Sequence, residues 1–110
     1  MIVKHGFFPS REFSLAEAKA SVGAGWEDLI ELAYAALELQ SDPYLSQVKE
    51  KFGGLRFYCS MGDTEAFNQL IRDIENLSYK MCEVCGQPGT HTPNLRGWIK
   101  TLCSTHMAER

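Results

Sequence analysis

No run of apolar residues in this chain approaches the roughly 20 that carry a helix across a bilayer. The opening Met1-Ile2-Val3-Lys4-His5-Gly6-Phe7-Phe8-Pro9 also lacks the apolar core of about 7 to 15 residues that marks a secretory leader. Both absences predict a cytoplasmic protein with no membrane partner. Lys and Arg are missing between residues 20 and 48, where Glu27, Asp28, Glu31 and Glu38 leave one acidic stretch. With a formal net charge of −3, the chain has no excess of cations for coating nucleic acid by charge alone, so any anion site must be a local patch. Low-complexity runs are absent too, which excludes a disordered tail as the main feature. Chemistry is equally sparse. No Ser-His-Asp set, paired carboxylates or glycine-rich phosphate loop occurs, and the lone Gly53-Gly54 is a turn signal. The expectation is a non-enzymatic protein with no catalytic residues.

What the sequence does contain is enough apolar material for a core: 45% of its 110 residues are hydrophobic and 23% charged. Four cysteines in a reducing compartment favour thiolates and metal over disulfides. Three of them, Cys82, Cys85 and Cys103, stand with His106 in a C-x2-C, C-x2-H pattern separated by 17 residues (86–102). Two thiolates on a knuckle and a thiolate with an imidazole one helical turn apart converge on a tetrahedral Zn²⁺, with sulfur at about 2.3 Å and nitrogen at about 2.0 to 2.1 Å. Such a set fills every coordination position and leaves none for an activated water, so one structural Zn²⁺ is expected. Three thiolates and one Zn²⁺ add −1 and bring the net charge to −4.

The elements follow from patterning. Residues 2–10 read as an edge strand ended by Pro9. Ser14-Leu15-Ala16-Glu17 is a capping box with Phe13 as its staple, predicting a helix from Leu15 to about Val22, stopped by Gly23-Ala24-Gly25. Trp26, Leu29, Ile30, Ala33 and Leu37 form a helical stripe that ends at Ser41-Asp42-Pro43. Gly53-Gly54 predicts a type I′ hairpin turn pairing Phe52 with Leu55, Lys51 with Arg56, Glu50 with Phe57 and Val48 with Cys59. That register puts Val48, Phe52, Leu55, Phe57 and Cys59 on a core face, and Lys49, Lys51, Arg56 and Tyr58 on the other. Two like charges opposed break a pairing rule, which marks the second face as a candidate binding surface. Glu50 falls on the apolar face, so either it meets a cation or the register slips by one. Cys59 reads as a buried small hydrophobe.

Thr64 or Asp63 caps a further helix with the stripe Phe67, Leu70, Ile71, Ile74, Leu77 and Met81, which should cover the hairpin and lead into Cys82. Beyond the knuckle come an arm at residues 90–92, a turn at Pro93-Asn94, a strand over 96–102 and a short helix carrying Cys103 and His106. Knuckle, hairpin and helix make a treble-clef-like layout. The fold class predicted is α+β: a small antiparallel hairpin packed by two to three helices (1–80), with the zinc module (81–110) packed on it as one structural domain.

The run VKEKFGGLRFY (48–58), then CEVCG (82–86), then GWIKTLCSTH (97–106), resembles a group of small uncharacterised proteins of bacteriophage and bacterial genomes. The resemblance implies a shared fold and zinc site and carries no established activity; a phage or prophage setting suits an accessory or counter-defence protein that binds a host macromolecule. A protein partner is therefore the leading expectation. The alternative is a nucleic-acid reader using Arg96, Trp98 and Lys100 of the zinc module. An HNH-type nuclease, which His91 and Asn94 loosely fit, lacks residues for a second metal.

Overall fold

A computed structural model describes residues 12–93 and 98–108; the strand predicted at 2–10, the turn at Pro93-Asn94 and Arg96 lie outside the described residues or contain residues that do. The chain is α+β, as expected. The Ser14 hydroxyl accepts from Glu17 N–H at 3.1 Å while Glu17 Oε1 accepts from Ser14 N–H at 2.9 Å, closing the capping box that starts α1 (Leu15–Ala20). A 3-10 turn, Ala24–Trp26, feeds α2 (Glu27–Glu38), and a Lys19–Glu31 ion pair ties the two helices together. Strands β1 (Leu45–Lys51) and β2 (Gly54–Cys59) form the first hairpin, and α3 (Glu65–Ser78), capped by Thr64, packs along β2. A second hairpin, β3 (Thr90–Pro93) and β4 (Ile99–Leu102), is followed by α4 (Ser104–Ala108).

Helical periodicity decides the core. Trp26, Leu29, Ile30, Ala33 and Leu37 from the first layer meet Leu45, Val48, Leu55 and Phe57 from the hairpin and Phe67, Ile71 and Ile74 from α3. In α3 the predicted stripe holds only in part. Leu77 is 46% exposed, and Ser78 takes the last inward position because its hydroxyl accepts from Leu55 N–H at 2.8 Å. One turn earlier Glu75 accepts from Phe57 N–H at 2.7 Å. Side chains of α3 thus satisfy the outward N–H groups of β2, which would otherwise be an open strand edge.

The hairpin turn lies one residue earlier than the sequence reading placed it, so each β1 residue pairs two positions earlier along β2. Lys51 faces Gly54, Glu50 faces Leu55, Lys49 faces Arg56 and Val48 faces Phe57. The turn residues are Phe52 (φ 54°) and Gly53 (φ 82°), not Gly53-Gly54. Phe52 accordingly leaves the predicted core face and stands 63% exposed at the tip. Glu50 does remain on the Leu55 side, but its carboxylate turns to the loop and accepts from Gly53 N–H at 2.6 Å. Neither alternative holds: the loop keeps two residues, the two-residue shift in pairing leaves Glu50 on the apolar face, and the Gly53 N–H rather than a cation takes up its carboxylate.

Candidate metal centre and binding face

The knuckle forms because Gly86 sits at φ 84°, a region open to glycine, so that Gly86 N–H can donate back to Cys82 O at 2.8 Å and Cys82 N–H to Gln87 O at 2.7 Å. Met81 and Pro88 bridge at its base. On the other side, β4 delivers Cys103 to the start of α4, where Met107 N–H donates to Cys103 O at 2.8 Å and His106 falls in the first turn. All four expected ligand atoms lie within 4.8 Å of one another. Cys85 Sγ and Cys103 Sγ are 3.8 Å apart, and His106 Nδ1 lies 3.5 Å from Cys82 Sγ and 3.2 Å from Cys103 Sγ. Tetrahedral Zn²⁺ with the bond lengths given above requires edges of about 3.8 Å between sulfurs and about 3.6 Å between sulfur and nitrogen. The set therefore fits a single metal ion bound through Nδ1.

The cluster draws the Cys82 and Cys103 thiols toward thiolate, while Cys85 and His106 hold their protons more tightly. Burial acts to raise the Cys82 thiol, but the backbone N–H groups of Cys103, Cys85 and Val84 outweigh it and draw the group down to about 6. Cys103 is lowered, chiefly by the His106 backbone N–H. His106 is raised by its contacts with the Cys103 and Cys82 sulfurs. At Cys85 the Gln87 N–H works downward, yet desolvation and the neighbouring sulfurs leave the thiol raised, as expected where negative charges are gathered around a centre.

The knuckle is seated in the core by features the sequence did not announce. Trp26, fully buried, donates from Nε1 to Met81 O at 2.9 Å. Gly25 N–H donates to Glu83 O at 3.0 Å, and a Cβ at Gly25 would lie only 2.0 Å from Cys82 O. Glu83, 8% exposed, exchanges backbone contact with β4 (Glu83 N–H to Thr101 O, 3.0 Å), accepts from Thr101 N–H at 3.1 Å and pairs with Lys100 Nζ at 3.3 Å. A backbone seam thus joins the helical layer to the metal knuckle, and a carboxylate joins the knuckle to the second hairpin.

The chain matches no known protein family, characterised protein or solved structure.

The other predicted site is the outward hairpin face. Lys49 lies directly opposite Arg56, so the like-charge pair persists with a different lysine, and Lys51 is opposite glycine. Tyr58 is 38% exposed. Among the described residues, none of these three cations forms an ion pair; the pairs made are Lys19–Glu31, Arg72–Glu65 and Lys100–Glu83. Arg56 Nη1 instead donates to the Tyr79 hydroxyl at 2.9 Å, which raises the guanidinium further.

The hairpin tip is held from three sides. His91 Nε2 lies 2.7 Å from Phe52 O and must carry the proton, since a carbonyl only accepts. Thr101 Oγ1 donates to Gly53 O at 2.7 Å, and Glu50 holds Gly53 N–H. The His91 ring meets Tyr79 edge-on at 4.7 Å. Of the second predicted surface, Lys100 is neutralised by Glu83 and Trp98 is 66% exposed. The four candidate metal ligands come together in one cluster, whereas the hairpin face and Lys100 lie apart, linked through the tip and through the Arg56–Tyr79–His91 contacts.

Proposed function

We propose that this protein is a non-enzymatic, zinc-stabilised binding protein whose contact surface is the outward face of the first hairpin. The observation that carries the reading is the set Lys49, Lys51 and Arg56, three cations without a carboxylate partner among the described residues, next to exposed Phe52 and Tyr58. Four of the fourteen acidic residues lie on α2, away from Lys49, Lys51 and Arg56, so the overall charge of −3 does not by itself describe the field at the hairpin. Zinc occupies the Cys82, Cys85, Cys103 and His106 cluster and supplies rigidity: it fixes β3 and β4, which in turn hold the Phe52-Gly53 tip. The order of knuckle, hairpin and helix supports a treble-clef-like assignment. Four protein ligands leave no open coordination position, and His91 is engaged with the Phe52 carbonyl, which supports a binding role over HNH-type hydrolysis.

The partner must present negative charge, whether on an acidic protein surface, as the phage resemblance implies, or along a nucleic acid. A host-directed accessory role in a phage or prophage rests on that resemblance alone. Retention on immobilised heparin tests the face directly. The wild type should be retained at low salt despite its net charge, and Lys49→Gln/Lys51→Gln should flow through. The control Lys19→Gln/Lys80→Gln carries the same net charge and should be retained. Equal elution of the two double variants would reject the hairpin as the contact surface.

A further inference from the structure

The tip of the first hairpin breaks a local rule. Type I′ turns place both central residues at positive φ, which favours Asn or Gly first and Gly second. Here the first position holds Phe52 at φ 54°. A bulky L-residue is strained in that region. The ring does not recover this by burial, because it is 63% exposed. Its backbone is meanwhile anchored: His91 holds Phe52 O, while Glu50 and Thr101 hold both polar groups of Gly53. The result is an aromatic ring projected to solvent from an immobilised mount. Strain held in place by surrounding contacts is a pointer to function.

The ring's neighbours indicate what it meets. Lys51 Nζ lies 5.7 Å from the ring centroid. Behind it, on the same face, come Lys49 and Arg56 side by side, then Tyr58. Arg56 and Tyr58 continue into an open groove of about 420 Å³ between β2 and α3, which Met61, Glu75 and Arg72, itself paired with Glu65, also line. A nucleotide presents two features together, a flat base and an anionic phosphate. An acidic peptide offers carboxylates without the base. An exposed ring with cations beside it, repeated along a strand, therefore matches a nucleic-acid strand more fully than an acidic protein. In a duplex the base faces are hidden in the stack, so the ring requires an unpaired strand.

We propose that the outward face of the β1–β2 hairpin binds single-stranded nucleic acid, with Phe52 stacking on a base and Lys49, Lys51 and Arg56 contacting phosphates. This deepens the binding role above and rests on it. The acidic balance of the chain makes the site a short one of three phosphate contacts. Stacking on Phe52 then supplies the part of the affinity that salt does not screen.

Fluorescence anisotropy with the full-length, zinc-loaded protein and a labelled mixed-sequence 12-nucleotide DNA strand tests this. Three phosphate contacts predict a slope of about −2 in log affinity against log salt. Phe52→Asn, which suits the turn better, should keep or raise the melting temperature. It should nevertheless weaken binding by about 5- to 150-fold, the range for loss of one stacked base, without changing the slope. Lys49→Gln/Lys51→Gln should reduce the slope to about −0.7, as expected for one remaining contact. A 12-base-pair duplex should bind more weakly and be indifferent to Phe52→Asn. Undiminished affinity in Phe52→Asn, or equal binding of strand and duplex, overturns the stacking site. Competition by poly-glutamate as effective as by the strand also overturns it, while leaving an acidic protein as the partner of the same face. No binding to any of these polyanions at 20 mM salt rejects both this inference and the binding role on which it rests.

Discussion

Replacing Gly25 by alanine is the sharpest perturbation of the seam between the helical layer and the metal knuckle. An added Cβ would lie 2.0 Å from Cys82 O, 2.6 Å from Gly86 N and 2.8 Å from the Glu83 carbonyl carbon. All three are backbone atoms of the knuckle, so no side chain can rotate to make room. The knuckle must move away by an ångström or more, breaking the 3.0 Å bond from Gly25 N–H to Glu83 O. Loss of that bond contributes about 1 kcal/mol. Overpacking in a tight contact adds about 1–3 kcal/mol. The expected destabilisation of about 2–4 kcal/mol corresponds, at about 4–8 °C per kcal/mol for a domain near this size, to a fall in melting temperature of about 8–32 °C. Because Cys82 and Cys85 are carried on the displaced segment, zinc affinity should fall as well, tenfold for each 1.4 kcal/mol of strain felt only in the loaded form. Thermal unfolding followed by circular dichroism and competition against a zinc chelator read the two effects. A melting temperature within about 2 °C of wild type, with unchanged zinc affinity, would refute the seam.

Two further outcomes are expected. Glu83→Ala leaves the fully buried Thr101 N–H without its acceptor and should destabilise by about 1–3 kcal/mol in urea titration, whereas Glu83→Gln, which keeps an acceptor, should lose less; the pair with Lys100 contributes little, since that lysine is about a third exposed. Burial, helped by the charge of Glu75, pushes the Cys59 thiol up to about 11, so at pH 8 about one molecule in a thousand is a thiolate there, against about a quarter for an ordinary thiol. In the zinc-loaded protein iodoacetamide should label Cys59 about two hundred times more slowly than a free thiol, as followed by mass spectrometry. The sign for stability follows: the folded pKa is raised, so the contribution is complete below about pH 8.5 and is lost as pH rises toward 11.

Local signals account for what could be read from the chain. The capping box, the Trp26–Leu37 stripe and each half of the Cys/His set, C-x2-C and C-x2-H, depend on residues within a few turns of one another, and each appears where expected. The hairpin register failed for the opposite reason. Gly53-Gly54 is locally the better type I′ turn, and the contacts that select Phe52-Gly53 come from His91 and Thr101, 39 and 48 residues away. Gly25 likewise reads as a helix stop until Cys82 and Glu83 are seen against it. Ser78 and Glu83 carry no pattern at all in the sequence; their roles exist only because β2 and β4 present backbone N–H groups to them. Trp26 was recognisable as core, but its ring N–H to Met81 O joins residues 55 apart.

On the proposed reading, a metal bound by Cys82, Cys85, Cys103 and His106 holds the C-terminal module and the first hairpin's tip as one unit. Amide NMR spectra of the zinc-loaded protein before and after chelation measure this directly. One Zn²⁺ per chain should be released, with large changes at Gly25, Trp26, Phe52 and Gly53 alongside those at residues 82–106. Changes confined to residues 82–108, with the tip and the Gly25 seam unmoved, would contradict it.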